Sequence, residues 1–139
     1  ANLKRYLSKR FDSAGILDRI RKDVPVTVPA FNRQISVPYA YQNGRLNLIQ
    51  PVRFESRAQE QAVVTACKYA VEGRSLYAHP DPSLGGLQLV VVGKFRTQED
   101  ETRDVVRRVL DENDVRLFSL PELPALIEEI KTTGKLVAD

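Results

Sequence analysis

Residues 37–54 read VPYAYQNGRLNLIQPVRF, two apolar-polar alternating runs on either side of Asn43-Gly44. Period-two alternation marks strands with one buried face. Asn-Gly between two such runs predicts a two-residue type I′ turn, because both central residues of that turn need positive φ. A β-hairpin, with strands over residues 31–41 and 45–54, is therefore the element on which the rest is assembled. Pro38 and Pro51 have no N–H to give to a ladder, which predicts an edge position or a bulge in each strand.

On the N-terminal side, residues 24–29 read VPVTVP. The valines favour a strand, while Pro25 and Pro29 demote it to an edge strand or a strap. Within residues 2–22, Leu3, Tyr6, Leu7, Phe11, Ile16, Leu17 and Ile20 recur at helical steps. Asp12-Ser13-Ala14-Gly15 divides them into two helices, with Ser13 as the second N-cap.

On the C-terminal side, Ser56-Arg-Ala-Gln59 is a capping box. It opens a helix to Glu72, stopped by Gly73 and followed by a loop over residues 74–86. Residues 87–92, LQLVVV, read as a strand buried on both faces, as in a parallel sheet. Thr97 is an N-cap, with Glu99, Asp100 and Glu101 suited to a helix start. That helix turns Val105, Val106, Val109 and Leu110 inward and leads to a short strand over 115–118. Ser119-Leu-Pro-Glu122 is a second capping box. The last helix carries Leu123, Leu126, Ile127 and Ile130, ends at Gly134, and leaves residues 135–139 to fray.

The fold class is thus α/β: a mixed sheet of four or five strands, a central antiparallel hairpin, a C-terminal β-α-β-α unit, and helices packed on the sheet in two or three layers. One domain spans 1–139, with residues 1–23 as a basic helical arm and 24–134 as sheet and helices. The chain begins at Ala1 and contains no Met, so it reads either as a piece of a longer protein or as one trimmed of its initiator.

Composition is ordinary for a globular chain of 139 residues, at 42% apolar and 28% charged. No apolar run approaches the ~18 residues of a transmembrane helix, and the N-terminus lacks the apolar core of a signal peptide. One cysteine, Cys67, cannot form an internal disulfide, which fits a reducing, cytoplasmic compartment.

Charge is distributed unevenly. Within residues 1–23, Lys4, Arg5, Lys9, Arg10, Arg19, Arg21 and Lys22 face only Asp12, Asp18 and Asp23, which more than accounts for the chain's net +3. Such a segment suits phosphate contact or a solvated helix face. Lys4, Arg5, Lys9 and Arg10 are its candidate nucleic-acid contacts. In the hairpin, Tyr39 and Tyr41 share a face, with Arg33, Arg45 and Arg53 nearby in sequence. Aromatics among arginines can stack on bases, although tyrosine pairs are also routine cross-strand packing.

Ligand-bearing motifs are few. One His and one Cys make a zinc site implausible. Cys67 reads as a small buried residue within a helix, and His79, in His-Pro-Asp-Pro, as an exposed loop residue. Gly85-Gly86 precedes a strand, the wrong order for a phosphate cradle. Lys94, Arg96 and Thr97 follow the buried strand at a helix start, a place where α/β folds hold anions. Neither a catalytic residue nor a cofactor is assigned.

A helix, a meander of strands, a helix and a buried strand, over about residues 1–93, resemble the restriction-endonuclease-like nuclease core. The resemblance implies an Asp on one hairpin strand and a Glu-x-Lys or Gln-x-Lys on the next, holding Mg²⁺ beside a lysine that assists the attacking water. Here QISVPYAYQ supplies no acid. Gln50 takes the Glu or Gln place, Val52 fills the Lys place, Arg53 is one step off, and Glu55 lies at the strand end. The expectation is a non-catalytic binding domain, a degenerate nuclease fold touching DNA or RNA in a DNA-processing or mobile-element setting. Two alternatives stand beside it. One is a protein-interaction or self-assembly module using residues 24–29 and the apolar N-terminal helix. The other is a metal-dependent nuclease with migrated acids. No membrane partner is expected.

Overall fold

In the computed structural model, residues 2–55, 58–96 and 100–138 are described, the side chain of Asp100 excepted. The hairpin lies inside a five-stranded mixed sheet of order β1-β2-β3-β4-β5. Its strands are β1 (Arg21–Val28), β2 (Arg33–Gln42), β3 (Leu46–Arg53), β4 (Leu87–Lys94) and β5 (Arg116–Ser119). β1, β2 and β3 run antiparallel in turn, and β4 and β5 continue parallel to β3. Helices α1 (Leu3–Ser13) and α4 (Leu123–Thr133) cover one face, α2 (Gln59–Ala78) and α3 (Asp100–Asp111) the other. The result is three layers.

β4 explains its own apolar run. Leu89 and Val91 enter the core under α2 and α3, while Val90 and Val92 enter the core under α1 and α4. Both faces are covered, so both must be apolar. Residues 24–29 belong to β1, an edge strand beginning at Arg21, with Val24, Val26 and Val28 buried. The first 23 residues are no separate arm. Leu3, Leu7, Phe11, Ile16 and Ile20 are core residues, a single 3-10 turn follows α1, and residues 21–23 are already strand.

The hairpin turn differs from its expected type. Three residues, 43–45, connect the strands, and positive φ falls on Gly44 but not on Asn43. The Asn43 N–H donates to the Arg45 carbonyl at 3.0 Å. The buried Asn47 amide reaches the Tyr41 and Arg45 carbonyls and the Asn43 side chain at 3.2, 3.1 and 2.7 Å. This side chain, two residues beyond the loop, fixes the wider turn.

Pro38 and Pro51 mark a fork. β2 and β3 pair only from Tyr39↔Ile49 to Gln42↔Leu46, whereas β3 stays on β4 as far as Arg53↔Lys94. The proline-bearing segments need no shared ladder there, so β2 departs with β1. Asp23, at φ +53, lies opposite Pro38 in this register. The inward side changes at this point: Ile35 and Val37 face α2, Tyr39 and Tyr41 face α1 and α4.

Three further expectations are corrected. α2 runs past Gly73 to Ala78. A Cβ on Gly73 would lie 2.7 Å from Val115 Cγ2, so the glycine serves close packing rather than termination. Cys67 is exposed. The buried stripe of α2 is Ala62, Ala66, Ala70, Gly73 and Leu76, and one step beyond Ala66 turns about 100° away from it. The C-terminal tail is held rather than frayed: Lys135 and Val137 N–H donate to the Gln42 and Asp18 carbonyls, both at 2.8 Å. Gly134 does follow α4, in extended backbone. The second capping box closes, with Glu122 accepting from the Ser119 N–H and hydroxyl at 2.9 Å each. The first, through Ser56, lies outside the described residues, as does the Thr97 cap.

Candidate functional site

The C-terminal ends of β3 and β4 meet beside α1. β3 delivers Arg53, Phe54 and Glu55, and β4 delivers Lys94, Phe95 and Arg96. Their register sets Arg53 against Lys94, and Phe54 N–H extends the ladder onto the Lys94 carbonyl at 2.8 Å. Two like charges on adjacent strands repel. Glu55 offsets them: Arg53 Nε donates to it at 2.6 Å and Lys94 Nζ lies 3.1 Å away. Arg96 Nε donates to the Glu55 carbonyl at 2.6 Å. Burial pushes the Glu55 carboxyl up, but the hydrogen bonds and charges of Arg53 and Lys94 outweigh it and hold the group below the usual carboxylate range.

Phe54 and Phe95 stack beneath this cluster, centroids 4.8 Å apart and planes within 5°. Gly93 makes room for them, since a Cβ there would lie 2.9 Å from Phe95 and 3.1 Å from Phe54. Next to Phe95 opens a crevice of about 520 Å³. Arg10 of α1, Lys94, Arg96 and Arg103 of α3 bring positive charge to it. Tyr6, Phe95, Leu120, Pro121 and Pro124 supply apolar wall, and no acid lines it among the described residues. A second opening, of about 570 Å³, lies in the β2/β3 fork, with Lys4, Pro38, Gln50 and Arg53 around it.

The structure therefore gathers Lys4, Arg10, Arg53, Lys94 and Arg96 at one end of the parallel strands. It adds Tyr6 and Arg103, which sequence reasoning missed. In the sequence Tyr6 falls within an apolar stripe, and Arg103 is one of several cations on a helix with no local cue. Thr97 lies outside the described residues. Arg5 and Lys9 are exposed on α1 without lining either opening, and Arg33 is exposed at the start of β2. Arg45 stands at the opposite end of β3, roughly 26 Å from Arg53 along the strand, where it donates to Gln88 at 3.1 Å.

Tyr39 and Tyr41 are not available to bases. Both rings are buried. Tyr39 meets Phe11 edge to face at 5.2 Å and donates to the Lys4 carbonyl at 2.7 Å. The Tyr41 hydroxyl donates to Glu129, which Arg116 grips with two nitrogens at 2.7 and 2.9 Å. Burial first, then this carboxylate, pushes the Tyr41 phenol well above its usual value. Val24, Val26 and Val28 and the apolar face of α1 pack into the core, while β1 itself forms an edge of the sheet.

The hairpin's carboxylate positions stay empty of acid. Gln50 donates to Glu72 of α2 at 3.1 Å. Glu72 is buried between sheet and helix, and desolvation raises its pKa despite the Gln50 hydrogen bond and the charges of Lys68 and Arg33. Among the described residues, no three of His, Cys, Asp and Glu are grouped to hold a metal ion, and no helix is long and apolar enough to cross a membrane. Compared with protein-family models, with curated proteins and with solved structures, the chain matches none.

Proposed function

We propose that this chain is a non-catalytic domain that contacts nucleic acid through the basic end of β3 and β4, on a degenerate scaffold of the restriction-endonuclease-like type. The observation that carries the reading is the grouping of Arg10, Lys94, Arg96 and Arg103 around one crevice, beside Arg53, with no acid among the described residues of its lining. Phosphate binding draws on such clusters through counterion release, and the carboxyl ends of parallel strands are where α/β sheets receive ligands. The order α1, β1 to β3, α2, β4 supports the resemblance to the nuclease core. The charges argue against retained cleavage. Glu55 is clamped by two cations, which would repel Mg²⁺, and Glu72 is too buried to meet a phosphate and its metal together.

A salt titration tests this. Binding of a labelled oligonucleotide should weaken log-linearly between ~50 and ~200 mM salt, with no cleavage when Mg²⁺ is added. Negligible binding at the lower salt removes the nucleic-acid part of the reading, and Mg²⁺-dependent cleavage removes the non-catalytic part.

A second reading, a protein-interaction or assembly module, is favoured by one observation. The outer face of α2 carries Val64 and Val71, 66% and 46% exposed, and Val71 lines a groove together with Cys67, Ala70, Ala78 and Val109. Light scattering over a range of concentrations separates a self-associating chain from a solitary one.

A further inference from the structure

We infer that the crevice beside Phe95 receives a single unpaired nucleotide, with its phosphate on the cations and its base against the apolar wall. This rests on the nucleic-acid reading and names the ligand class for the same site. Counterion release needs cations alone, on any open surface. Here the cations surround a walled space of about 520 Å³, within the range that encloses a small ligand. Half of that wall is apolar or aromatic: Tyr6, Phe95, Leu120, Pro121 and Pro124.

Those side chains gain little from a duplex, which turns phosphates outward and keeps its bases stacked. They gain much from a splayed base, whose π-face stacks on aromatic rings whatever its sequence. Tyr6 is suited to this role. The residue is 41% exposed, and Arg10 braces its ring by donating to the hydroxyl at 2.8 Å with its guanidinium 5.7 Å from the ring centroid. Phe95 is backed by Phe54 and so presents a fixed wall. The same chemistry is found in a strand and in a free mononucleotide, and the test separates them.

Fluorescence anisotropy would compare a labelled oligothymidylate of about ten nucleotides with a blunt duplex of equal length. Thymidine monophosphate and inorganic phosphate serve as competitors. The expected result is about tenfold tighter binding of the strand, and displacement by the mononucleotide but not by phosphate. Tyr6→Ala should weaken strand binding by about fivefold or more and change duplex binding by less than about twofold, whereas Arg10→Gln, which removes a phosphate-binding charge, should weaken both. Thermal melting checks that both variants fold, and Arg45→Gln, far from the crevice, should bind as the parent does.

Mononucleotide binding as tight as that of the strand supports the nucleotide site and identifies the free form as its occupant. Equal affinity for strand and duplex, unmoved by Tyr6→Ala, overturns this inference and leaves the nucleic-acid reading standing. Displacement by phosphate alone also overturns it. Failure of every nucleic acid to bind at low salt overturns the parent reading instead.

Discussion

Replacing Glu55 by Gln keeps the shape of the side chain and removes the negative charge held between Arg53 and Lys94. Two opposite effects follow. The fold loses two ion pairs whose cations are 48% and 39% exposed, each worth about 0.2–1 kcal/mol after solvent screening, so stability falls by about 2 kcal/mol at most. Anion binding is strengthened. A phosphate about 6 Å from that carboxylate is repelled by ~0.7 kcal/mol in a water-like dielectric and by ~3 kcal/mol at an effective dielectric near 20. Glu55→Gln should therefore raise oligonucleotide affinity roughly threefold to 100-fold. The salt dependence should steepen by about one contact, ~0.7 to ~0.9 in log-log slope. Anisotropy titrations of both proteins at several salt concentrations read both quantities. Unchanged or weakened binding would refute the view that Glu55 competes with phosphate for Arg53 and Lys94. Loss of a Mg²⁺-dependent cleavage in Glu55→Gln would make it a catalytic acid instead.

Other expectations concern the scaffold. Glu129→Ala leaves the buried Tyr41 hydroxyl without its carboxylate and Arg116 without its double hydrogen bond. The expected loss is about 2–4 kcal/mol, readable by urea denaturation. Arg116 hydrogen bonding holds the Glu129 carboxyl below its usual range despite partial burial. Its contribution is thus complete above the ordinary carboxylate pKa and is lost as pH falls through the lower folded value, so parent and Glu129→Ala should converge in acid. Gly73→Ala gains about 1 kcal/mol of helix propensity but forces a Cβ to 2.7 Å from Val115, an overpacking worth about 1–3 kcal/mol. A net loss of up to about 2 kcal/mol is expected, and Val115→Ala in the same chain should relieve it. Cys67 is exposed, so a thiol reagent should label the native protein at nearly its unfolded rate; protection would place the residue in the core.

What the sequence makes legible is what local spacing encodes. The alternation around Asn43-Gly44, the continuous apolar run of β4 and the Ser119/Glu122 cap all survive in the structure, because each is fixed by residues a few positions apart. The turn type was not legible, since it depends on the Asn47 amide folding back over the loop. Nor was the exposed side of Cys67, because alanines spread over α2 leave the buried face ambiguous until the sheet is placed against it. Gly73 carries the usual mark of a helix end, and only Val115, 42 positions away, explains its presence inside one. The candidate site was half legible. Lys94 and Arg96 are marked by the strand that precedes them. Their meeting with Arg10 and Tyr6 requires α1 to cross the ends of β3 and β4, and no local pattern states that.

The location of the contact face is the claim on which most depends. Amide chemical shifts of labelled protein, followed while an unlabelled oligothymidylate is added, measure it directly. Shifts concentrated at residues 6–10, around Phe54 and Glu55, at residues 93–96, near Arg103 and at 119–124 are expected. Shifts centred on Arg45 and Gln88, or on the groove beside Cys67 and Val71, would contradict it.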